Sequence, residues 1–211
     1  PTMTTQTLPK VIFLDAVGTL FGVAGSVGQA YGTIAQQHGI TVDSQALNQA
    51  FFRAFKAAPP MAFPGSDPTT VPKREYDWWR RIAQQTFSST GCLDKFVDFD
   101  GFFADLYAYF ATAEPWFVYP DTQSALQRWR RWGIQLGVIS NFDSRLHQVL
   151  TELHLAEYFN SVTISTEVGA AKPTAAIFTA ALQKHDCAPT EAWHVGDSES
   201  EDIQGAKAAG L

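Results

Sequence analysis

The stretch Val11-Ile-Phe-Leu-Asp-Ala-Val-Gly-Thr19 places Asp15 directly after a short run of large apolar residues. Such a run, closed by a glycine turn at Gly18, predicts a fully buried strand over residues 11 to 16. The same arrangement recurs three times further along the chain. Ser140 ends Leu136-Gly-Val-Ile-Ser140, Lys172 follows Ser161-Val-Thr-Ile-Ser165, and Asp197 ends Trp193-His-Val-Gly-Asp197.

Predicted strands alternate with predicted helices after Pro120. Strands are predicted at 134–140, 161–165 and 192–197. Capping and glycine signals predict a helix before the first of them, from Asp121 or Thr122 to before Gly133, and one after it, from near Asp143. A helix with Pro173 in its first turn follows the second strand, and a last helix with a Ser198–Glu201 capping box follows the third and closes at Gly210. This alternation implies a parallel sheet covered by helices on both faces. Reactive groups of such a sheet collect outside the carboxyl ends of its strands. We therefore expect the four residues at the strand ends to lie together.

A mostly helical block separates the first strand from the rest of the predicted sheet. Between about Gly25 and Pro115, breakers such as Ala58-Pro-Pro60 divide helix-length segments that carry apolar residues at helical spacing. The predicted fold class is α/β, a three-layer Rossmann-like parallel sheet with an inserted α-helical domain. Residues 8–22 and 115–211 are assigned to the core and residues 23–114 to the insertion.

The bulk composition limits the function classes. Of 211 residues, 45% are apolar and 17% are charged, which is typical of a folded globular protein. The net charge of -6 and the absence of a Lys or Arg run argue against nucleic acid or an anionic membrane surface as partner. Cys92 and Cys187 form no Cys-x-x-Cys pair, which favours two reduced thiols. No apolar stretch has the length of a membrane helix, and we expect a cytoplasmic protein without a signal peptide, starting at Met3 after two additional residues.

Asp15 and Lys172 together suit the transfer of a phosphoryl group. Alone, Asp15 fits a turn aspartate, with Gly18 at positive φ and Thr19 as a local cap. The functional interpretation is a carboxylate nucleophile that forms an acyl phosphate. Lys172 would keep Asp15 ionised and neutralise oxygens of the transferred group, although it also fits a surface lysine beside a proline.

Two further carboxylates predict a metal site. Asp197 and Asp202 would supply, near Asp15, the hard oxygen ligands that Mg²⁺ prefers. Asp202 alone also fits an acid at a helix start. Ser140 and Asn141 offer a hydroxyl and adjacent amides suited to a phosphoryl oxygen, or they simply end a strand and begin a turn.

Order and spacing of these segments point to a family. Asp15-Ala-Val-Gly-Thr19, Ser140-Asn141, Lys172-Pro173 and Gly196-Asp197-Ser198 with Asp202 resemble the four signature motifs of haloacid dehalogenase (HAD) superfamily hydrolases, and the insertion resembles their type-1 cap. The resemblance implies that Asp15 is the nucleophile and that Thr19, Ser140, Asn141 and Lys172 bind the transferred group. It implies Mg²⁺ held by Asp15, the backbone carbonyl of Val17 and Asp197, with Asp202 supporting, and a small phosphorylated metabolite as substrate. It also implies a further strand and helix after Leu211.

Val17 departs from the pattern of the resembling phosphatases. They usually carry a second aspartate at this position, two residues after the nucleophile, which protonates the leaving group and later activates water. A valine transfers no proton, and the loss of such a group costs roughly 10²- to 10⁴-fold in rate. Asp143 is interpreted as a helix N-cap, with a partial replacement of the missing acid as the alternative.

Three functions remain open at this point. The first is a Mg²⁺-dependent phosphatase that is slow or acts on good leaving groups, such as aryl or acyl phosphates. The second is an activity like that of haloacid dehalogenases or of phosphonoacetaldehyde hydrolases. The dehalogenases lack a metal-binding aspartate at the position of Asp197, which speaks against them. The phosphonoacetaldehyde hydrolases need a lysine in the cap, and Lys56 is the candidate for it. The third is a catalytically idle relative that binds a ligand or partner.

Other conspicuous side chains are expected to be structural. Trp78, Trp79, Trp116 and Phe117 fit a hydrophobic core better than an aromatic substrate site. Arg53, Arg80 and Arg81 fit a solvated face. The five histidines show no ligand spacing, and His194 is expected in the core or against a neighbouring helix.

Overall fold

A four-stranded parallel sheet forms the centre of the protein. The computed structural model describes residues 7–211, so the expected start at Met3 lies outside the described residues. The strands are β1 (Val11–Leu14), β2 (Phe21–Val23), β3 (Trp116–Val118), β4 (Gln135–Ser140), β5 (Ser161–Ile164) and β6 (Ala192–Val195). The sheet has the order β5-β4-β1-β6, and all three pairings in it are parallel. The predicted parallel α/β sheet is confirmed.

Helices occupy most of the remaining chain. They are α1 (Val27–Gln37), α2 (Ser44–Ala57), α3 (Val71–Ser89), α4 (Phe99–Tyr109), α5 (Thr122–Arg131), α6 (Leu146–Glu152), α7 (Ser165–Val168), α8 (Ala175–Gln183) and α9 (Gly205–Ala208), and a π-helical turn spans Glu199–Gln204 before α9. None of the helices within residues 7–211 is both long and apolar enough to cross a membrane.

Side chains of β1 alternate between two hydrophobic layers. Ile12 and Leu14 pack into one cluster with residues of α5 and α6, such as Leu126 and Val149. Val11 and Phe13 pack on the opposite face with residues of α8. Because successive strand residues point to opposite faces, the all-apolar sequence of β1 places the strand between two covering layers. The three-layer core is therefore confirmed.

The helices α1 to α4 pack around a hydrophobic core of their own. Its largest fully buried members come from α2, α3 and α4, and they are Leu47, Phe87, Phe102, Phe103 and Leu106. The chain passes between sheet and insertion through an antiparallel ribbon of β2 and β3, in which Phe21 pairs with Val118 and Val23 with Trp116. This ribbon was not predicted. The exact boundaries at residues 22/23 and 114/115 remain a prediction.

Four predicted element bounds were wrong by a few residues. Pro173 lies before α8 (Ala175–Gln183), whose N-cap is Thr174, and not in its first turn. Strand β1 ends at Leu14 because the carbonyl of Ala16 accepts the N–H groups of Thr19 and Leu20, which turns the chain right after Asp15. Strand β6 ends at Val195 rather than at residue 197. Helix α6 begins at Leu146 rather than near Asp143.

Candidate active site

Asp15 lies at the carboxyl edge of the sheet, directly after the central strand β1. Its N–H donates to the carbonyl of Val195 over 2.9 Å, which fixes the backbone between β1 and β6. Its carboxylate oxygen Oδ1 lies 2.9 Å from Nζ of Lys172, and 14% of the side chain is exposed. Burial raises the pKa of Asp15, and the Lys172 ammonium opposes that rise. The carboxylate is therefore mostly buried, and its charge is balanced by a neighbouring ammonium.

Lys172 is buried between two carboxylates. Its Nζ lies 2.7 Å from Oδ1 of Asp202 as well as 2.9 Å from Asp15, and the side chain is 1% exposed. The Asn141 side chain holds the lysine backbone from both ends, because Oδ1 accepts from Lys172 N over 2.7 Å and Nδ2 donates to Lys172 O over 3.0 Å. The surface-lysine alternative is thus wrong. The Asn141 side chain serves Lys172, which leaves its main-chain amide as the predicted phosphate contact.

Asp202 is completely buried and receives three hydrogen bonds. Oδ1 accepts from Lys172 Nζ and from Nε2 of His194, both over 2.7 Å, and Oδ2 accepts from the Ser198 N–H over 3.1 Å. Burial raises the pKa of Asp202, but the His194 hydrogen bond and Lys172 outweigh it and lower the pKa to about 2. Asp202 therefore stays ionised as the counter-charge of Lys172.

Three carboxylates at this edge converge closely enough to hold one divalent ion. Asp15, Asp197 and Asp202 each offer an oxygen, and these oxygens lie within 4.8 Å of one another. A side chain at Gly18 would approach Oδ2 of Asp197 to 2.5 Å, and Gly18 has a φ of +91°. Only glycine fits this turn without displacing Asp197. The oxygens of Asp202 are engaged by protein donors, so Asp15 and Asp197 are the more available ligands.

Thr19, Ser140 and Val17 complete the surroundings of Asp15. The Thr19 hydroxyl is buried and has no hydrogen-bond partner among the residues that the structure describes. Ser140 ends β4 opposite Ile164 and is 3% exposed. Val17 packs partly buried against the sheet's hydrophobic cluster. Two hydroxyls thus lie on the turn after β1 and on the neighbouring strand β4, while position 17 supplies no proton donor.

Glu201 is a further acid near this cluster that the sequence did not single out for chemistry. Burial raises the pKa of Glu201, the Lys172 ammonium opposes the rise, and the nearby carboxylates of the acidic cluster add to it. The predicted capping box forms only in part, since Ser198 Oγ accepts the Glu201 N–H over 3.2 Å. The Ser198 N–H goes to Asp202 instead of the Glu201 side chain.

A second buried carboxylate, Glu75 of α3, joins the insertion to the sheet. Glu75 is 0% exposed, and it accepts the N–H of Ser144, the hydroxyl of Ser144 over 2.8 Å and the hydroxyl of Thr166 over 3.0 Å. Burial raises the pKa of Glu75, although these hydrogen bonds oppose the rise. A cavity of about 250 Å³ beside this contact is lined by residues other than the predicted site residues.

Asp143 lies in the same interface and is not the N-cap of α6. Arg145 holds the N-cap position of α6. The Asp143 carboxylate is fully buried, and it accepts from Nε and Nη2 of Arg145 and from Nε1 of Trp79, each over 2.8 Å. Both oxygens of the Asp143 carboxylate are therefore engaged by donors from Arg145 and Trp79. The N-cap interpretation was wrong, whereas a partial replacement of the missing acid by Asp143 stays a prediction.

The buried Glu75 leads to a prediction about pH and stability. Because its pKa is higher in the folded than in the unfolded chain, the folded state keeps this proton longer, and the free energy of unfolding falls as pH rises from 4.5 through the folded pKa. We expect the free energy of unfolding of Glu75→Gln, measured by urea titration, to lack this decrease between pH 4.5 and 7. The control Glu152→Gln, at an exposed residue of α6, should follow the wild type, and a Glu75→Gln profile parallel to wild type would contradict the expectation.

The remaining candidates lie apart from the acidic cluster. Trp78 and Trp116 are buried in the two hydrophobic cores, as predicted, but the prediction was wrong for Phe117, which is exposed on β3. Arg80 pairs with Asp100, and Arg53, Arg81 and Lys56 are exposed. His194 is the one histidine of the described chain that contacts the acidic cluster.

Comparison with known proteins identifies the family. Residues 9–210 match the family described as haloacid dehalogenase-like hydrolase. The Bos taurus haloacid dehalogenase-like hydrolase domain-containing protein 3 is 34% identical over 206 residues, which cover 96% of this chain and 79% of that protein. The Drosophila melanogaster rhythmically expressed gene 2 protein is 30% identical, with 95% and 80% covered.

Solved structures agree in fold. The HAD phosphatase from Thermococcus onnurineus superposes with a TM-score of 0.61 at 25% identity, covering 96% of this chain and 83% of that chain. The 2-haloacid dehalogenase from Pseudomonas syringae pv. Tomato DC3000 superposes with a TM-score of 0.65 at 23% identity, covering 97% and 84%. The family match over nearly the whole chain, together with these relatives, shows that this protein belongs to the haloacid dehalogenase-like hydrolases.

Proposed function

We propose that this hydrolase is a Mg²⁺-dependent phosphatase that acts on a small phosphorylated metabolite through an aspartyl-phosphate on Asp15. The observation that carries the proposal is the convergence of Asp15, Asp197 and Lys172 at one sheet edge. A nucleophilic carboxylate, a second carboxylate for a divalent ion and a buried ammonium are the parts that phosphoryl transfer needs.

In the first step, an Asp15 oxygen attacks phosphorus, and the bond between phosphorus and the leaving oxygen breaks with its electron pair on that oxygen. Lys172 neutralises charge on the phosphoryl oxygens, and the hydroxyls of Ser140 and Thr19 with the Asn141 amide hold their positions. In the second step, water attacks phosphorus, the Asp15–phosphorus bond breaks, and phosphate leaves while the proton of water passes to solvent. The insertion would exclude water during the first step and select the substrate.

The residues present fit a divalent ion. Mg²⁺ would be held by Asp15, Asp197 and the backbone carbonyl of Val17. Asp202 would support this site through its ion pair with Lys172. Hard carboxylate oxygens and an incomplete protein shell are what this ion prefers. When bound, Mg²⁺ would offset the negative charge of the phosphoryl oxygens.

Val17 narrows the substrate class. Without an acid at this position, the leaving oxygen departs unprotonated, so the protein should prefer leaving groups of low basicity such as aryl and acyl phosphates. The same residue favours a second candidate, a dehalogenase-like activity, because halide departs without a proton. Asp197 in the acidic cluster argues against that candidate, and the exposure of Lys56 gives a phosphonatase-like Schiff base no support. A catalytically idle relative would not require Asp15, Lys172 and Asp197 together.

A substrate screen tests the proposal. Purified protein is assayed with aryl, acyl and alkyl phosphates, and with 2-chloropropionate, in the presence of Mg²⁺ and again after metal removal with EDTA. We expect phosphate release from aryl and acyl phosphates that stops with EDTA and returns on addition of Mg²⁺. Halide release from 2-chloropropionate that is unaffected by EDTA would instead support the dehalogenase-like candidate, and turnover of neither class would support the idle one.

A further inference from the structure

His194 occupies an unusual place for a histidine. It is the third residue of β6, it pairs in register with Phe13, and its side chain is 0% exposed. The ring packs edge-on against Phe178, with centroids 5.3 Å apart and planes at 89°. An apolar side chain would satisfy these surroundings at least as well.

The ring makes one polar contact within residues 7–211. Nε2 lies 2.7 Å from Oδ1 of Asp202, whereas Nδ1 is buried and has no partner among the described residues. A buried polar nitrogen without a partner costs free energy. The contact with Asp202 is therefore what His194 adds beyond packing.

Asp202 transmits this contact to the nucleophile. Its Oδ1 is shared by His194 Nε2 and Lys172 Nζ, and Lys172 reaches Asp15 over 2.9 Å. We propose that His194 is a positioning residue that holds the Asp202 carboxylate in the orientation that places the Lys172 ammonium beside Asp15. This inference rests on the proposed function, because it assigns Lys172 a role at the phosphoryl group.

The need for such support follows from the chemistry of the two steps. Once Asp15 carries a phosphoryl group, it is no longer a free carboxylate partner for Lys172. Asp202 is then the carboxylate that stays 2.7 Å from Nζ and keeps the ammonium in place. The Ser198 N–H holds only Oδ2 of Asp202, so loss of the Nε2–H donor would let Oδ1 shift and move Lys172 away from the phosphoryl oxygens. Partners of this kind behind a reacting group typically contribute about 10- to 100-fold in affinity or rate.

Three substitutions separate positioning from packing. His194→Leu removes the N–H donor to Asp202 and roughly keeps the side-chain volume. His194→Gln keeps an N–H donor at about the position of Nε2. His194→Asn also carries an amide, but its side chain is too short to reach Asp202. Each is assayed with p-nitrophenyl phosphate and Mg²⁺, and its binding of orthovanadate is measured by calorimetry. We expect His194→Leu and His194→Asn to lower kcat/KM and vanadate affinity by about 10- to 100-fold, and His194→Gln to restore most of both.

A second buried histidine provides the matched control. His185 lies 2.7 Å from Ser161 Oγ and 2.6 Å from Gln135 Oε1, at the amino ends of β4 and β5. His185→Leu should lower the melting temperature and leave kcat/KM of the folded protein unchanged. The Asp15→Asn variant, assayed alongside, tests the proposed function independently.

The outcomes are distinct. Wild-type kcat/KM and vanadate affinity in His194→Leu, with Asp15→Asn inactive, would overturn the positioning role alone. If His194→Leu does not fold, equal losses in His194→Gln and His194→Asn would also overturn it, and selective rescue by His194→Gln would support it. Turnover that survives Asp15→Asn would remove the proposed function and this inference together.

Discussion

Replacing Asp15 with asparagine should lower turnover of p-nitrophenyl phosphate by at least about 10³-fold, which corresponds to roughly 4 kcal/mol of activation free energy. A carboxamide is a far weaker nucleophile than a carboxylate, and it also offers the divalent ion one neutral oxygen instead of a charged pair. Lys172 keeps Asp202 at 2.7 Å in this variant, so its ammonium retains a counter-charge and the fold should survive. The measurement is kcat/KM on protein whose melting temperature matches the wild type.

Asp94→Asn is the control for this substitution. Asp94 belongs to the short 3₁₀ turn Leu93–Lys95 between α3 and α4, which contains none of the predicted site residues. It should retain wild-type kcat/KM. Comparable rates in Asp15→Asn and Asp94→Asn would show that Asp15 does not carry the reaction.

Replacing Val17 with aspartate should accelerate hydrolysis of alkyl phosphates by about 10²- to 10⁴-fold, the usual contribution of a positioned general acid–base group. The introduced carboxyl group would protonate the leaving oxygen in the first step and activate water in the second. Aryl phosphates, whose leaving oxygen is weakly basic, should gain much less. The ratio of kcat/KM for ethyl phosphate to that for p-nitrophenyl phosphate is therefore the quantity to compare.

Val17→Asn serves as the matched control. Its side chain has the size of aspartate but transfers no proton at neutral pH, and it disturbs the partly buried contact of Val17 with the core to a similar extent. It should leave the ratio unchanged. An equal ratio in Val17→Asp and Val17→Asn would contradict the idea that a missing acid limits this protein.

The sheet edge was predictable because each predicted strand is a short, mostly apolar run that a polar residue closes or follows. In β1, both faces are apolar, which specifies a central strand, and the helix signals between the later strands imply parallel pairing. The residues at these strand ends could therefore be grouped from the sequence. That Asp15 lies beside Lys172 and within reach of Asp197 agrees with this grouping.

Contacts made by individual side chains were not predictable in the same way. His194 sits on an edge strand beside the exposed Trp193 and Val195, and nothing in its local sequence indicates a partner eight residues away in a π-helical turn. Asn141 was predicted to bind phosphate, but its side-chain amide donates to the backbone carbonyl of Lys172, 31 residues further along the chain. Such pairings depend on the packing of whole elements and not on local sequence pattern.

The interface between insertion and sheet was missed for a related reason. Charged side chains are seldom fully buried unless they are paired, and the local sequence around Glu75 and Asp143 contains no signal of a buried partner. Both are fully buried and paired with donors: Ser144 and Thr166 donate to Glu75, and Trp79 and Arg145 donate to Asp143. The short ribbon of β2 and β3 escaped notice because three-residue strands carry no periodic signal.

A crystal structure of the protein with Mg²⁺ and beryllofluoride tests the central claim most directly. The account predicts beryllium bonded to a carboxylate oxygen of Asp15, a fluoride within hydrogen-bonding distance of Lys172 Nζ, and Mg²⁺ coordinated by Asp15, the carbonyl of Val17 and Asp197. A structure in which Asp15 stays free while Mg²⁺ and beryllofluoride bind elsewhere, or do not bind, would contradict it.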